Sequence, residues 1–198
     1  MESVSSNIFD YVQDVNVRAP RFLIKMLVPN LSAAVKQNGQ ASVINLSCIK
    51  GTKASAGMMS YCMSKAALES MTKSFALDLG HLGIRVNSLS ASYINTKFGN
   101  ISDNATRNKV IANESFINPM KRVANVQEVI RSIVYLASPH SMKMTGQTLV
   151  VDGGLSITSR GTREWNGQGE DVRKGLEVNE TYGLSYILNA QMNKMKKQ

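Results

Sequence analysis

An apolar segment, a polar loop and a helical pattern follow one another from Ala41 to Lys65, and this order constrains the fold more than any other part of the chain. The apolar segment ends at Leu46, and the polar loop that follows contains Gly51, a residue type that breaks regular secondary structure. Helical spacing begins near Tyr61. A strand, a loop and a helix in this order predict the first half of a parallel crossover unit.

The rest of the sequence repeats the alternation of strand and helix. The patterns predict helices at 6–28, with a kink or division at Pro20, and at 60–79, 107–116 and 126–137, and strands at 41–46, 84–89 and 148–151. Pro29 and Asn30 end the strong pattern of the first helix, and 31–36 can add another turn. Such alternation predicts an α/β fold with a parallel sheet that helices cover on both faces.

Tyr61 and Lys65 lie four residues apart, so they share one face of the predicted helix. A free phenol has a pKa of about 10, and an ammonium close to it would lower that pKa by about 1–3 units. The pair would then make Tyr61 a usable general acid and base. The spacing alone is a weak signal, because two residues on a solvated helix face give the same pattern.

Further motifs surround this pair in a fixed order. They are Asn-Leu-Ser at 45–47, Tyr-x-x-x-Lys-Ala-Ala-Leu at 61–68, Gly-Ile-Arg-Val-Asn-Ser at 83–88, Leu-Ala-Ser at 136–138, Thr-Gly-Gln at 145–147 and Val-Asp-Gly-Gly at 151–154. In this order they resemble the short-chain dehydrogenase/reductase family, over about residues 9–154.

The resemblance implies a Rossmann-like, doubly wound parallel sheet and an oxidoreductase that uses NAD or NADP, without indicating which. It also implies a small-molecule carbonyl or alcohol as substrate. Tyr61 matches the family's acid/base, and Lys65 matches the lysine that lowers the tyrosine pKa and binds the nicotinamide ribose. Asn16 matches the residue that supports a proton relay through water. Ile94 and Thr96 match contacts to the carboxamide and phosphate region of the cofactor.

Two parts of the expected site depart from the family pattern. The catalytic serine expected thirteen residues before Tyr61 is Cys48, whose thiol is a weaker hydrogen-bond donor than a hydroxyl. Ser47 precedes it, but neighbours in a strand point to opposite faces, so Ser47 is not a simple substitute. The family's Pro-Gly after the second strand is Ala91-Ser92, where glycine would let the backbone approach nicotinamide closely.

A third departure is the lack of a glycine-rich phosphate-binding turn in these 198 residues. About three strands of the family's sheet are visible, so we expect the chain to be the catalytic and C-terminal half of such a protein, a fragment that is inactive in isolation. The strand at 41–46 would then lack a neighbour on one side.

Composition limits the other functions. The net charge is +9, but lysine and arginine are scattered without interleaved aromatic residues, which favours a solvated surface over a nucleic-acid site. No apolar run predicts a membrane span. Cys48 and Cys62 lack metal-ligand spacing, and His81 and His140 have no acidic cluster near them in sequence, so no metal site is expected. Two isolated thiols suit a reducing cytoplasm.

The pattern divides the chain into a Rossmann-like part at 1–160 and a polar tail at 161–198, whose end could form a short helix. Family members commonly associate through helices that match 7–28 and 60–82, so we expect a homo-oligomer. The main alternative to an enzyme is a non-catalytic interaction or scaffold subunit of the same ancestry. Tyr61, Lys65 and Asn16 favour the enzyme, whereas Cys48 and the Ala91-Ser92 turn favour the alternative.

Overall fold

The computed structural model describes residues 4–96 and 104–158. The helices are α1 (Ser6–Gln13), α2 (Ala19–Asn38), α3 (Met59–Gly80), α4 (Asn104–Ile117) and α5 (Val126–Ala137), and the strands are β1 (Ala41–Cys48), β2 (Ile84–Ala91) and β3 (Thr148–Val151). A π-helical segment, Asp14–Arg18, joins α1 to α2, and short 3-10 helices cover Ile49–Gly51, Pro139–Ser141 and Leu155–Ile157.

The chain divides into two compact units. One unit consists of Met1–Thr96 and Ala124–Asp152, and the other consists of Lys97–Val123 and Gly153–Gln198. The first unit therefore contains the whole sheet together with α1, α2, α3 and α5. The predicted tail at 161–198 lies outside the described residues.

The sheet has three parallel strands in the order β1-β2-β3, which confirms the predicted α/β fold. The register pairs Ala41 with Ile84 and Cys48 with Ala91, so β1 and β2 start and end together. Both strands run two residues beyond their predicted ends. Since the strands are parallel, their carboxyl ends meet at one edge of the sheet, where open α/β sheets bind ligands.

Two apolar clusters cover the two faces of the sheet, as the alternating pattern predicts. On one face, Ile24 of α2 and Ala76 and Leu79 of α3 pack with Ile84 and Val86 of β2. The cluster on the other face contains Leu89 and Ala91 of β2 with Val129 and Leu136 of α5. The sheet is therefore held between α2 and α3 on one side and α5 on the other.

The first helical region differs from its prediction at one of its two prolines. The π-helical segment divides the region just before Pro20, in line with the expected kink or division. However, α2 continues without interruption through Pro29 to Asn38, so the end of the strong pattern is not the end of the helix, and the further turn at 31–36 belongs to it. Val28 and Leu31, on either side of Pro29, both pack against the cluster around Ile24. This packing stabilises the helix against the loss of one backbone hydrogen bond.

The elements after the sheet's second strand match their predictions closely. Helix α5 has the predicted bounds and begins with a capping box, in which Asn125 and Glu128 each accept a hydrogen bond from the other's backbone N–H. In the second unit, α4 is longer than predicted and buries Val110 completely. No helix among the described residues is long and apolar enough to cross a membrane.

Candidate active site

The end of β1 and the first turns of α3 bring three of the predicted site residues together. Cys48 is the last residue of β1, and Tyr61 and Lys65 lie in the first two turns of α3. The Cys48 thiol and the Tyr61 hydroxyl are hydrogen-bonded. The Lys65 ammonium lies 5.6 Å from the centroid of the Tyr61 ring. The three side chains thus form one group at the carboxyl edge of the sheet.

The acidity of Tyr61 differs from the expectation. Burial raises the pKa of the Tyr61 hydroxyl well above its usual value, and the charge and hydrogen bond of Cys48 raise the pKa further, as does Cys62. The expected decrease of this pKa is therefore wrong for the structure as it stands. The reason is geometric, because the Lys65 ammonium donates a 2.9 Å hydrogen bond to the carbonyl oxygen of Leu46 and lies near the aromatic ring of Tyr61.

Lys65 is itself affected by burial. Desolvation lowers the pKa of its ammonium group, while the negative charges that Cys48 and Glu69 can carry act in the opposite direction. An ammonium has three N–H donors, and Leu46 accepts one of them. Lys65 can therefore also donate to the hydroxyl groups of a bound ribose, which is the role that the family pattern gives it.

Cys48 occupies the place of the expected serine and is only 5% exposed. Burial raises the pKa of its thiol, although a backbone hydrogen bond from Lys50, the hydrogen bond with Tyr61 and the charges of Lys50 and Lys65 oppose this effect. Cys48 is not part of a disulfide. A raised pKa keeps the thiol protonated at neutral pH, so Cys48 can act there as a weak hydrogen-bond donor.

Ser47 does not replace Cys48. Its hydroxyl donates a 2.7 Å hydrogen bond to Oε1 of Glu69, one turn beyond Lys65 on α3. Ser47 is therefore engaged with the helix, while Cys48 contacts the Tyr61 hydroxyl. Glu69 is not among the residues that the motifs indicate, although its spacing of four residues from Lys65 predicts that both lie on the same helix face.

Asn16 reaches the same region from the π-helical segment. Its side-chain amide donates a 3.0 Å hydrogen bond to the Ser64 hydroxyl, which donates in turn to the carbonyl oxygen of Tyr61 at 2.8 Å. Gln13 adds a 3.1 Å hydrogen bond to the carbonyl oxygen of Ser60. These contacts fasten the π-helical segment to the turn of α3 that carries Tyr61. π-Helical turns are rare and often occur at functional sites.

The predicted cofactor contacts follow the second strand. Ile94 forms a β-bridge with Ala124 and packs into the apolar cluster that contains Leu89. Thr96 is half-buried and is the last residue described before the gap at 97–103. Ile94 and Thr96 both come after β2. The last residue of β2, Ala91, is paired with Cys48, so the segment that carries Ile94 and Thr96 starts at the same edge of the sheet as Cys48.

The donor set fits the nicotinamide end of a dinucleotide. Lys65 offers N–H donors for a ribose, and Tyr61 offers a hydroxyl that can exchange a proton. The backbone of Ser92 is tied by its N–H to the carbonyl oxygen of Val151 at 3.3 Å, which fixes the turn beside them. For a metal ion there is no such set, because residues 4–96 and 104–158 contain no group of three possible ligands.

Other residues of the matched motifs have structural roles. Asn87 is fully buried, donates to the carbonyl oxygen of Met144 at 2.8 Å and accepts from the backbone N–H of Gln147 at 3.0 Å. Arg85 donates to the carbonyl oxygen of Leu136 at 2.9 Å and to the hydroxyl of Ser141 at 3.0 Å. Both side chains therefore attach the segment after α5 to β2.

Comparison with known proteins gives a consistent set of relatives. Residues 1–156 match the family model described as enoyl-(acyl carrier protein) reductase. The chain is 35% identical over 144 residues to L-xylulose reductase of Caenorhabditis elegans, covering 72% of this chain and 55% of that protein. It is 32% identical over 149 residues to 3-oxoacyl-(acyl-carrier-protein) reductase FabG of Thermotoga maritima, covering 75% of this chain and 57% of that protein.

Solved structures give the same result. Ligand-free aldohexose dehydrogenase of Thermoplasma acidophilum superposes with a TM-score of 0.71 and 29% identity, covering 80% of this chain and 63% of that one. A 4-hydroxyisoleucine dehydrogenase mutant complexed with NADH and succinate has a TM-score of 0.67 and 27% identity, covering 79% and 63%. The chain therefore spans less than two thirds of the length of these relatives.

Proposed function

Because the chain belongs to the short-chain dehydrogenase/reductase family, we propose that it carries the acid/base site of an NAD(P)-dependent oxidoreductase, with Tyr61 as the proton-exchanging group. The observation that carries the proposal is the grouping of Cys48, Tyr61 and Lys65 at the carboxyl edge of the parallel sheet. The substrate would be a small carbonyl compound or the corresponding alcohol, in keeping with relatives that are named as reductases and dehydrogenases.

In the direction of reduction, Tyr61 gives its hydroxyl proton to the substrate's carbonyl oxygen. The nicotinamide, when bound, supplies the hydride for the carbonyl carbon, so that the C=O bond becomes an alcohol. Burial raises the pKa of Tyr61, which keeps its hydroxyl protonated at neutral pH but makes it a weaker acid, so proton transfer requires the Lys65 ammonium to lower that pKa when substrate and cofactor are bound. In the direction of oxidation the same oxygen accepts the proton of the alcohol.

Cys48 would assist as a second donor to the substrate oxygen. It is hydrogen-bonded to the Tyr61 hydroxyl, so a substrate oxygen placed beside that hydroxyl lies near the thiol as well. A donor aimed at developing negative charge typically contributes about 2.7–4 kcal/mol to transition-state stabilisation. Since a thiol is the weaker donor, Cys48 would contribute less than the serine that the family pattern has there.

Lys65 and Asn16 would support Tyr61 in different ways. Lys65 would hold a ribose through its ammonium group and would stabilise the phenolate that Tyr61 becomes after giving up its proton. Asn16, whose amide donates to Ser64, would support a relay water by holding the π-helical segment beside the turn of α3 that carries Tyr61.

The same proposal includes a nicotinamide cofactor, its contacts with Ile94 and Thr96, and a cytoplasmic location. NADH or NADPH would bind with its nicotinamide ribose at Lys65, since the family's solved members include a complex with NADH. Cys48 and Cys62 are both free thiols, which suits the reducing cytoplasm.

The test uses an active form of the protein that includes a glycine-rich phosphate-binding turn, and it measures steady-state reduction of a panel of simple ketones and aldoses with NADH and with NADPH. Tyr61→Phe should nearly abolish turnover, because it removes the side chain's only transferable proton. Tyr135→Phe is the matched control, since Tyr135 lies half-exposed on α5 and its hydroxyl contacts the sulfur of Met144. Comparable turnover by wild type and Tyr61→Phe would contradict the assignment of the acid/base.

A second candidate is an interaction subunit, and a homo-oligomer is compatible with both functions. The observation that favours association is the number of large apolar side chains exposed on α1, α2, α3 and the π-helical segment, among them Val15 (50%), Leu23 (59%), Met26 (74%), Met63 (48%) and Leu77 (84%). Light scattering of the wild type and of Met26→Glu tests this candidate. A monomeric wild type with turnover that depends on Tyr61 would leave only the enzyme.

A further inference from the structure

The carboxylate of Glu69 has no part in the proton transfer, yet it is buried beside the group that performs it. Glu69 is only 7% exposed and follows Lys65 by one helical turn on the same face of α3. Burying a carboxylate is costly unless charges and hydrogen bonds compensate for it. Within the described part of the chain it forms no salt bridge, so its charge acts on its surroundings without a direct ionic contact.

Ser47 connects this carboxylate to the strand that ends at Cys48. The Ser47 hydroxyl lies 2.7 Å from Oε1 of Glu69 and 3.5 Å from the carbonyl oxygen of Lys65. The next residue is Cys48, and the preceding residue, Leu46, accepts the hydrogen bond of the Lys65 ammonium at 2.9 Å. Three consecutive residues of β1, namely Leu46, Ser47 and Cys48, therefore contact Lys65, Glu69 and Tyr61 in that order.

Gly51 adds a steric constraint at the same point. A Cβ atom on Gly51 would lie 3.0 Å from the carbonyl carbon of Lys65 and 3.2 Å from Oε1 of Glu69. The loop after β1 therefore passes close over the helical turn between Lys65 and Glu69, and this close approach helps to exclude solvent from the carboxylate.

We propose that Glu69, held by Ser47, is a positioning residue that keeps the neighbouring Lys65 in its ammonium form, available to Tyr61 and to a cofactor ribose. This inference rests on the proposed function, because it explains how Lys65 stays charged while partly buried. A glutamine at position 69 would fill nearly the same volume and accept the same hydrogen bond from Ser47. The negative charge is thus the property that distinguishes a positioning role from simple packing.

The groups that act on Lys65 come from both elements packed around it. From α3 these are Glu69 and the ring of Tyr61, and from β1 they are the carbonyl oxygen of Leu46 and the thiol of Cys48. Lys50, just after β1, acts on Cys48. At neutral pH the Cys48 thiol is protonated because burial raises its pKa, which leaves Glu69 as the neighbouring anion that stabilises the ammonium.

The experiment follows the protonation of Lys65 in the 198-residue chain by NMR of labelled lysine side chains, with Lys65→Arg to assign the signal. Glu69→Gln should lower the pKa of Lys65 by about one unit, because removing a nearby opposite charge disfavours the charged form. Asp78→Asn is the matched control. It makes the same charge change on the same helix at an exposed position, and it should leave the Lys65 titration unchanged.

Ser47→Ala provides a second, independent variant. It keeps the charge but removes the 2.7 Å hydrogen bond that holds the carboxylate, so the pKa of Lys65 should fall in the same direction by less. An unchanged Lys65 titration in folded Glu69→Gln would overturn the proposal. If circular dichroism shows Glu69→Gln to be unfolded, an unchanged titration in Ser47→Ala overturns it. Neither measurement requires turnover, so the outcome is separate from that of the Tyr61→Phe assay.

Discussion

The thiol of Cys48 is hydrogen-bonded to the hydroxyl of Tyr61 at the point where β1 ends beside the first turn of α3. Cys48 is 5% exposed, so this contact is made in a largely dry environment. A hydrogen-bond donor stabilises developing negative charge more strongly there than in water. Replacing a hydroxyl by the weaker thiol donor therefore costs correspondingly more transition-state stabilisation. The chemistry of residue 48 therefore has a direct effect on the proposed proton transfer.

Cys48→Ser should increase turnover, because it replaces a weak donor with a stronger one of similar size. The increase should reach up to about two orders of magnitude if a whole donor is gained in the transition state. The measurement is steady-state reduction of the ketone panel by the same active form as in the Tyr61→Phe assay, with Cys62→Ser as the matched control on the neighbouring thiol. Slower turnover in Cys48→Ser than in the wild type would show that the thiol has a role of its own.

The turn Ala91-Ser92 bears on the interpretation of this variant. Where Pro-Gly would allow close approach to nicotinamide, Ala91 is buried and the Ser92 N–H is bonded to Val151. If Cys48→Ser alone has no effect, the same substitution combined with Ala91→Pro and Ser92→Gly should increase turnover. A triple variant no faster than the wild type would contradict the role of residue 48 as a donor.

The raised pKa of Tyr61 has a consequence for stability at alkaline pH. A folded-state pKa above the unfolded value of about 10 means that the native state keeps a proton which the unfolded state has lost. The stability contributed by protonated Tyr61 is therefore full below about pH 10 and decreases as the pH rises above that value. Lys65 acts in the opposite sense, because its lowered pKa makes the native state release its proton first.

Tyr61→Phe removes the first of these two effects and leaves the second. We expect the free energy of unfolding of Tyr61→Phe to decrease less than that of the wild type between about pH 10 and pH 11. Urea denaturation at several pH values, followed by circular dichroism, measures the two slopes. Equal slopes in the two proteins would mean that the Tyr61 hydroxyl titrates in the folded state as it does in the unfolded chain.

Much of the fold could be predicted from local sequence signals. Helix α5 has its predicted bounds because Asn125 and Glu128 form a capping box at its start and Pro139 follows its end. The three strands were recognisable as apolar segments between turns, and their order in a parallel sheet is confirmed. In contrast, Pro29 is a local breaker whose effect is overcome by packing with distant residues such as Ile24, which single-sequence patterns do not reveal.

The site was predicted less completely than the fold, for a physical reason. Spacing placed Tyr61 and Lys65 on one face, but the pKa of Tyr61 depends on burial and on where the Lys65 ammonium points, and neither can be read from spacing. Glu69 was missed because a charged residue at helical spacing usually lies on a solvated face, whereas here the loop at Gly51 covers it.

The hydrogen bond from Asn16 to Ser64 predicts a measurable contribution to stability. Asn16→Ala should lower the free energy of unfolding by about 1 kcal/mol, because the buried Ser64 hydroxyl loses its donor. Asn30→Ala is the matched control at an exposed position of α2, and it should be neutral or slightly stabilising since alanine is the better helix former. Equal effects of the two substitutions in chemical denaturation would contradict a stabilising role for the Asn16 contact.

Gly80, the last residue of α3, and Gly83, three residues later, form a matched pair that tests how α2 packs against the turn before β2. Gly83 has a positive φ of 76°, and a Cβ there would lie 2.9 Å from Cγ1 of Val35, whereas a Cβ on Gly80 would have no heavy atom within 4 Å. Gly83→Ala should therefore destabilise the fold by about 1–2 kcal/mol from the backbone alone, with an added cost from the contact. Gly80→Ala should stabilise it by about 0.4–1 kcal/mol.

Val35 allows the two costs at Gly83 to be separated. In the Val35→Ala background the close contact is absent, so Gly83→Ala should cost less there than in the wild type, while the cost of the left-handed backbone remains. Thermal and urea unfolding of the four proteins in this cycle measures both terms. A cost of Gly83→Ala that is the same with and without the Val35 side chain would show that α2 does not press on this turn, and that the backbone conformation alone requires glycine.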